Sequence, residues 1–381
     1  MKIISPLFLV IPSSLFVSAY RLTAEDDLEY NAGYFGETVD LEFIEGIDDF
    51  EMGLSANESL KNIVKTLKVS DDCTSCSSIP STRLINMLKS LEGSSSLEEL
   101  SFSSIHCSDL LDEKYERLKA ERAEKSRGFF SKLFPKQIIV PEQPKEAFGF
   151  DLILENGLQK LQFPSLKVLQ IFGTSFTPAV LFQYLRSKAG QNLTKFSSAF
   201  NTKLKAQMMP KLAGSMPNLQ TLVISDIFQS ETLGHRESDS SMFFAGLAEF
   251  SNLEHLVFTS RKSARLPGIF GGFPEDEKLF VKFIRKRGNQ LKTISIEPAV
   301  FVDSLGMQAI SRNCKSLTDL ELVWTSDHER SAPFFDAVVK VVQNCRNLLN
   351  LRLVNPKWKM AEKTSLNQHA SAFGNISLTF D

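Results

Sequence analysis

Apolar residues recur along this chain at the offsets L-x-x-L-x-L. Val64, Leu67 and Val69 give a first, imperfect instance, and Leu97, Leu100 and Phe102 a clear one. The series continues with Leu166, Leu169 and Ile171, introduced by Pro164, and then with Leu193 and Phe196. Leu219, Leu222 and Ile224 follow, then Leu253, Leu256 and Phe258, then Leu291, Ile294 and Ile296. Leu317, Leu320 and Leu322 come next, then Leu348, Leu351 and Leu353, and Phe373, Ile376 and Leu378 close the chain. Successive starts from Leu166 onward lie 27, 26, 34, 38, 26, 31 and 25 residues apart. In extended backbone, alternate side chains face opposite sides. The last two apolar residues of each triplet therefore point into a core, and the residues between them point to an open face. Helical periodicity fills the intervals at 178–185, 278–284 and 334–342. Pro178 and Pro333 stand near helix starts, where proline is tolerated. One strand with one helix cannot bury its own apolar side, so such units must stack.

Two blocks near the C-terminus sharpen this reading. Asn313-Cys314-Lys315-Ser316-Leu317 leads into Thr318-Asp319-Leu320-Glu321-Leu322, and Asn344-Cys345-Arg346-Asn347-Leu348 leads into Leu349-Asn350-Leu351-Arg352-Leu353, 31 residues later. Each follows an apolar, helix-like run. The pattern resembles the cysteine-containing subtype of leucine-rich repeats found in F-box/leucine-rich-repeat proteins, in which a helix ending C-P-x-L runs into the next strand. The resemblance is specific over 300–355 and looser over 60–300. It implies an α/β leucine-rich-repeat solenoid, a right-handed horseshoe with irregular repeats. Irregularity is visible directly: Met216 stands where the cysteine would be, and Thr174, Ile227 and Thr325 where Asn or Cys usually follows the third aliphatic residue. The family's best-known role is substrate recognition in ubiquitin ligases of the Skp1–cullin–F-box type. The F-box normally precedes the repeats, and no recognisable F-box occupies residues 1–60.

The N-terminal part reads differently. Lys2 is the only charge before Arg21, Ile3 to Val17 is strongly apolar, and Val17-Ser18-Ala19 offers small residues at a peptidase spacing. This predicts a signal peptide over 1–19 cleaved after Ala19; the competing reading is a buried capping strand. Residues 20–55 form an acidic N-terminal cap with Asp26-Asp27 and Asp48-Asp49, in which Val39 to Phe43 alternates like a short strand. The solenoid is expected over 56–381, interrupted at about 110–150 by a charged helical insertion. There Glu113 with Arg117, and Glu121 with Lys125, are favourable helical pairs. The insertion reads as a solvated helix or as a docking element anchored by Phe129, Phe130 and Phe134.

Composition narrows the function. Of 381 residues 43% are hydrophobic, including 31 Phe, which suits a long continuous core. A net charge of −2 argues against a nucleic-acid partner. No further stretch is long and apolar enough to span a bilayer. The five histidines, His106, His235, His255, His328 and His369, share no ligand spacing, and no phosphate loop or nucleophile motif is present. The chain is therefore not expected to be an enzyme, nor to hold a cofactor or metal. Cys314 and Cys345 read as small core side chains. Cys73 and Cys76 are compatible with a local disulfide, with free thiols, or with redox or metal chemistry for which the second pair is missing. Asn57, Asn192 and Asn375 sit in N-x-S/T sequons, and Asn57 and Asn192 are the glycosylation candidates.

The partner-binding candidates are open-face residues and one loop. His255, Asp319, Glu321, Asn350 and Arg352 lie between core positions of their strands. Arg261, Lys262, Arg265, Phe270 and Phe273 lie in the loop from Arg261 to Pro274, which is either a partner site or a loop packed on its own apolar residues. A second long loop runs from Asp226 to Ser240. The expectation is a non-catalytic scaffold that binds a protein partner on its concave strand face, in the secretory pathway or secreted. The alternative is a cytoplasmic or nuclear substrate receptor carrying a Skp1-type adaptor.

Overall fold

The computed structural model describes residues 37–56, 58–70, 81–103, 149–199, 204–225, 236–259, 274–299, 301–324, 332–354, 358–373 and 376–380. The leader at 1–19 and the insertion up to residue 148 lie outside the described residues. The aliphatic triplets become one sheet. Its strands are β1 (Thr38–Glu42), β2 (Thr66–Ser70), β3 (Glu99–Ser103), β4 (Val168–Phe172), β5 (Lys195–Ala199) and β6 (Thr221–Ser225). They continue with β7 (His255–Thr259), β8 (Thr293–Glu297), β9 (Asp319–Val323), β10 (Asn350–Val354) and β11 (Ser377–Phe380). All eleven run in chain order, each parallel to the next. Parallel neighbours need a crossover, and the intervals supply it mostly as helix.

The second and fourth residues of each strand form two inward columns. One runs Val39, Leu67, Leu100, Leu169, Phe196, Leu222, Leu256, Ile294, Leu320 and Leu351, all buried. The pairing Leu320↔Leu351 or Leu256↔Ile294 shows the register: residue opposite residue, with no slip. Burying one such side chain contributes about 1.5–3 kcal/mol.

The helices close the other side of this core. They include α1 (Phe43–Ala56), α2 (Ser81–Ser90), a short α3 (Gly149–Leu152), α4 (Pro178–Leu185), α5 (Lys188–Gln191) and α6 (Met209–Ser215). The later ones are α7 (Arg236–Leu247), α8 (Pro274–Arg287), α9 (Ser304–Asn313), α10 (Ala332–Asn344) and α11 (Met360–Phe373). From α6 to α11 each helix packs on the next. Much of the phenylalanine content finds its place here. Phe244 of α7 stacks edge-on against Phe301 at 5.2 Å, Phe280 of α8 lies 5.7 Å from Phe301, and Phe243 lies 5.4 Å from Phe258 of β7. Edge-to-face rings add about 0.5–1.5 kcal/mol beyond their area.

Polar ladders fix the spacing between units. The carbonyl just before a strand accepts two N–H groups from the next unit: Lys65 from Glu98 and Glu99 at 2.8 and 3.0 Å, and Thr318 from Leu349 and Asn350 at 2.8 and 3.0 Å. The residue ahead of the first aliphatic position reaches back to the preceding unit. Asn218 Nδ2 donates to Gln191 O at 3.0 Å, Asn252 Nδ2 to Pro217 O at 3.0 Å, and Asn347 Nδ2 to Lys315 O at 2.9 Å. Carboxylates cap helices across units as well. Asp151, buried in α3, accepts from Thr177 N at 2.7 Å and Thr177 Oγ1 at 2.5 Å, at the start of α4. Glu277 Oε1 in α8 accepts from Asp303 N at 3.0 Å and Gly306 N at 2.9 Å, at the start of α9.

Two readings change. The last triplet is not Phe373, Ile376 and Leu378. Phe373 ends α11, and β11 pairs Leu378 with Leu351 and Phe380 with Leu353. A two-residue slip leaves every side chain on the same face, so alternation alone does not detect it. In β5, where the triplet lacked a third member, Ser198 occupies the second inward position, buried and with no hydrogen-bond partner for its hydroxyl.

Candidate functional site

The first and third residues of each strand face away from the helices and form the open face. Their hydrogen bonds run across strands, because in-register parallel pairing sets equivalent side chains side by side. In the N-terminal part Gln170 Nε2 donates to Glu99. Val168, Val223 and Val257 make the middle less polar, and Ser197 between them is buried.

The C-terminal part carries most of the charge. Asn350 Nδ2 donates to Asp319 Oδ1 at 2.5 Å, and Thr318 Oγ1 to Asp319 Oδ2 at 2.6 Å. Ser295 Oγ donates to Glu321 Oε2 at 2.7 Å, while Arg352 forms an ion pair with the other oxygen of Glu321. Glu321 is thus held from β8 and β10 at once. His255 Nδ1 lies 2.9 Å from Thr293 Oγ1, and its Nε2 lies 3.9 Å from Glu254. Partial burial pushes the His255 pKa below the usual histidine value, against the opposing pull of the Glu254 carboxylate. The ring is neutral at neutral pH. Glu254 is itself paired with Lys292 at 2.7 Å.

The structure therefore sets two bonded pairs, Asp319 with Asn350 and Glu321 with Arg352, side by side on β9 and β10, and places His255 two strands from β9 on the same face. Arg261, Lys262, Arg265, Phe270 and Phe273 lie outside the described residues, as do Asn57, Cys73, Cys76 and Asn375. Of the loop from Asp226, the part from Arg236 onward is the start of α7. Asn192 is exposed and caps the C-terminal end of α5. Sequence reasoning passed over Thr293, Ser295's bond to Glu321, and Ser101 and Ser197. Counting first and third strand positions would have found the residues; the bond between Ser295 and Glu321 needed the strand register.

The cysteines at the helix-to-strand junctions are packing residues. Cys314 and Cys345 are free and buried. Burial pushes the Cys345 thiol up to about 11 and the Cys314 thiol further, so both are protonated at neutral pH. Among the described residues no group of three or more His, Cys, Asp or Glu is arranged to hold a metal ion. Among them, too, no helix is long and apolar enough to cross a membrane.

No protein-family model matches the chain, and no curated protein does. Solved structures do. A chain from the crystal structure of the Rad7 and Elc1 complex in yeast superposes with a TM-score of 0.50 at 16% identity, covering 84% of this chain. The match takes in only 64% of that chain's own length. The internalin InlC2 of Listeria monocytogenes matches with a TM-score of 0.33 and 15% identity over 59% of this chain and 75% of its own. The internalin InlF of the same organism gives 0.36 and 12% over 84% and 81%. Sheet topology, ladders and the yeast structure agree that the fold is an α/β leucine-rich-repeat solenoid.

Proposed function

We propose that this chain is a non-catalytic scaffold that holds a protein partner on the open sheet face and the loops leaving it. The observation that carries the reading is the unbroken register of the eleven strands. Strands of five residues are roughly 16 Å long, and eleven of them at about 4.8 Å spacing extend roughly 48 Å. That face offers roughly 800 Å², which matches one side of a standard protein–protein interface. Asp319, Glu321, Asn350 and Arg352 on it are already oriented by cross-strand bonds, so ordering them on binding costs little entropy. The test is site-specific cross-linking. A photoreactive amino acid at position 295, on the open face, should capture a partner. The same group at position 340, exposed on α10, should not. Capture at 340 alone would overturn the proposal.

Location belongs to the same proposal: the charge-then-apolar pattern of residues 1–19 supports entry into the secretory pathway. N-terminal sequencing of the protein made in cells checks it, and a product still starting at Met1 rejects it. A second reading is an intracellular substrate receptor of the Skp1–cullin–F-box kind. The cysteine blocks at Cys314 and Cys345 favour it, and the yeast structure that superposes on this fold is of a two-protein complex. Failure of the purified full-length chain to bind Skp1 would remove this second reading.

A further inference from the structure

On the helix side of the solenoid, away from the open face, α8 and α9 pack side by side and leave a groove of about 210 Å³. Lys278, Val281 and Arg285 of α8 and Leu305, Gln308 and Arg312 of α9 are among the residues that line it. The spacing explains the geometry. Lys278, Val281 and Arg285 fall at i, i+3 and i+7 of α8; Leu305, Gln308 and Arg312 fall at i, i+3 and i+7 of α9. Such positions share one helical face. Each stripe is about 10 Å long, which is room for about three residues of extended chain.

Three features distinguish this groove from an ordinary solvated helix pair. Leu305 is 51% exposed, whereas most leucines among the described residues are buried. Arg285 and Arg312 are exposed and make no hydrogen bond or ion pair among the described residues, whereas Lys278 is 2.6 Å from Glu275. The nearby carboxylate of Glu277 is spent on the backbone of α9. No acidic residue lines the groove, so the charges of Arg285 and Arg312 are uncompensated there although the chain as a whole is slightly acidic.

We propose that this groove binds a short acidic peptide segment of a partner protein. An apolar side chain of the segment rests on Leu305 and Val281, and carboxylates meet Arg285 and Arg312. Guanidinium suits this role because its planar fork pairs with a carboxylate through two parallel N–H bonds. A single-stranded nucleic acid fits less well, since no aromatic ring lines the groove for a base to stack on.

The experiment measures fluorescence anisotropy of a labelled peptide, Glu-Asp-Leu-Glu-Asp, titrated with the full-length protein, with a labelled oligouridine as comparison. Saturable peptide binding is expected, weakened by added salt and weakened at least tenfold by Arg285→Glu with Arg312→Glu. The milder pair Arg285→Lys with Arg312→Lys should weaken it severalfold, and Leu305→Ser about tenfold. These positions are exposed, so thermal melting should be unchanged, and a melt of each variant verifies that it is folded. Absence of saturable binding, binding indifferent to both arginine pairs, or tighter binding of the oligouridine would each overturn the proposal.

Discussion

Single positions in this protein are judged by the column they occupy. Ser198 sits in an inward column otherwise made of aliphatic and aromatic side chains, with an orphan hydroxyl. An unsatisfied buried polar group costs about 1–3 kcal/mol. Ser198→Ala should therefore raise stability by about 1 kcal/mol, read as a higher melting temperature. Gly288 occupies the opposite kind of position. A Cβ there would stand 2.9 Å from Cys314 Sγ and 3.3 Å from the Asn313 backbone. Gly288→Ala should cost about 1–3 kcal/mol by overpacking, and part of that loss should disappear in a Cys314→Ala background, a coupling that denaturant unfolding of the double mutant measures. His255 carries a depressed pKa, so its neutral form is favoured in the folded chain. Its contribution is present above the ordinary histidine value near 6.5 and is lost as pH falls through the lower folded value. NMR titration of the ring should give a midpoint below 6.5, and His255→Gln should flatten that part of the stability–pH curve.

At the scale of strands and helices, much was legible in the amino-acid pattern. The triplets from Leu97 to Leu353 mark β3 to β10, and 178–185 marks α4 residue for residue. The reason is physical: an inward column tolerates few residue types, so burial writes itself into the sequence at fixed offsets. What escaped was whatever alternation does not encode. The register of β11 is one case, since a slip of two preserves facing. The helix caps are another. Nothing local ties Asp151 to Thr177, 26 positions on, or Glu277 to Gly306, 29 positions on. The open-face patch was half legible. Asp319, Glu321, Asn350 and Arg352 were singled out by their position between core residues, but their mutual bonds needed the register. The caps yield a test. Glu277→Ala should leave two amides at the start of α9 without their acceptor and cost about 0.5–2 kcal/mol, seen in chemical denaturation. Faster amide exchange confined to the first turn of α9 would accompany it.

The whole molecule behaves as a one-dimensional stack, in which each unit meets the units before and after it. Stability should therefore be highest where both neighbours are present and the ring cluster of Phe243, Phe244, Phe258, Phe280 and Phe301 spans successive units. Native-state hydrogen exchange should show the strongest protection in β6 to β9 and progressive loss toward β1 and β11, which among the described residues each have one partner strand. Uniform protection across all strands would contradict that expectation. One further consequence follows from the join between β3 and β4. Sixty-odd residues separate Ser103 from Val168, yet Leu100 faces Leu169 and Phe102 faces Ile171 as in any adjoining pair. The sheet is indifferent to how much polypeptide is threaded between two rungs. In evolutionary terms, genes for such a chain can acquire, duplicate or discard stretches at these junctions, and recognition can diversify there while the framework is inherited unchanged.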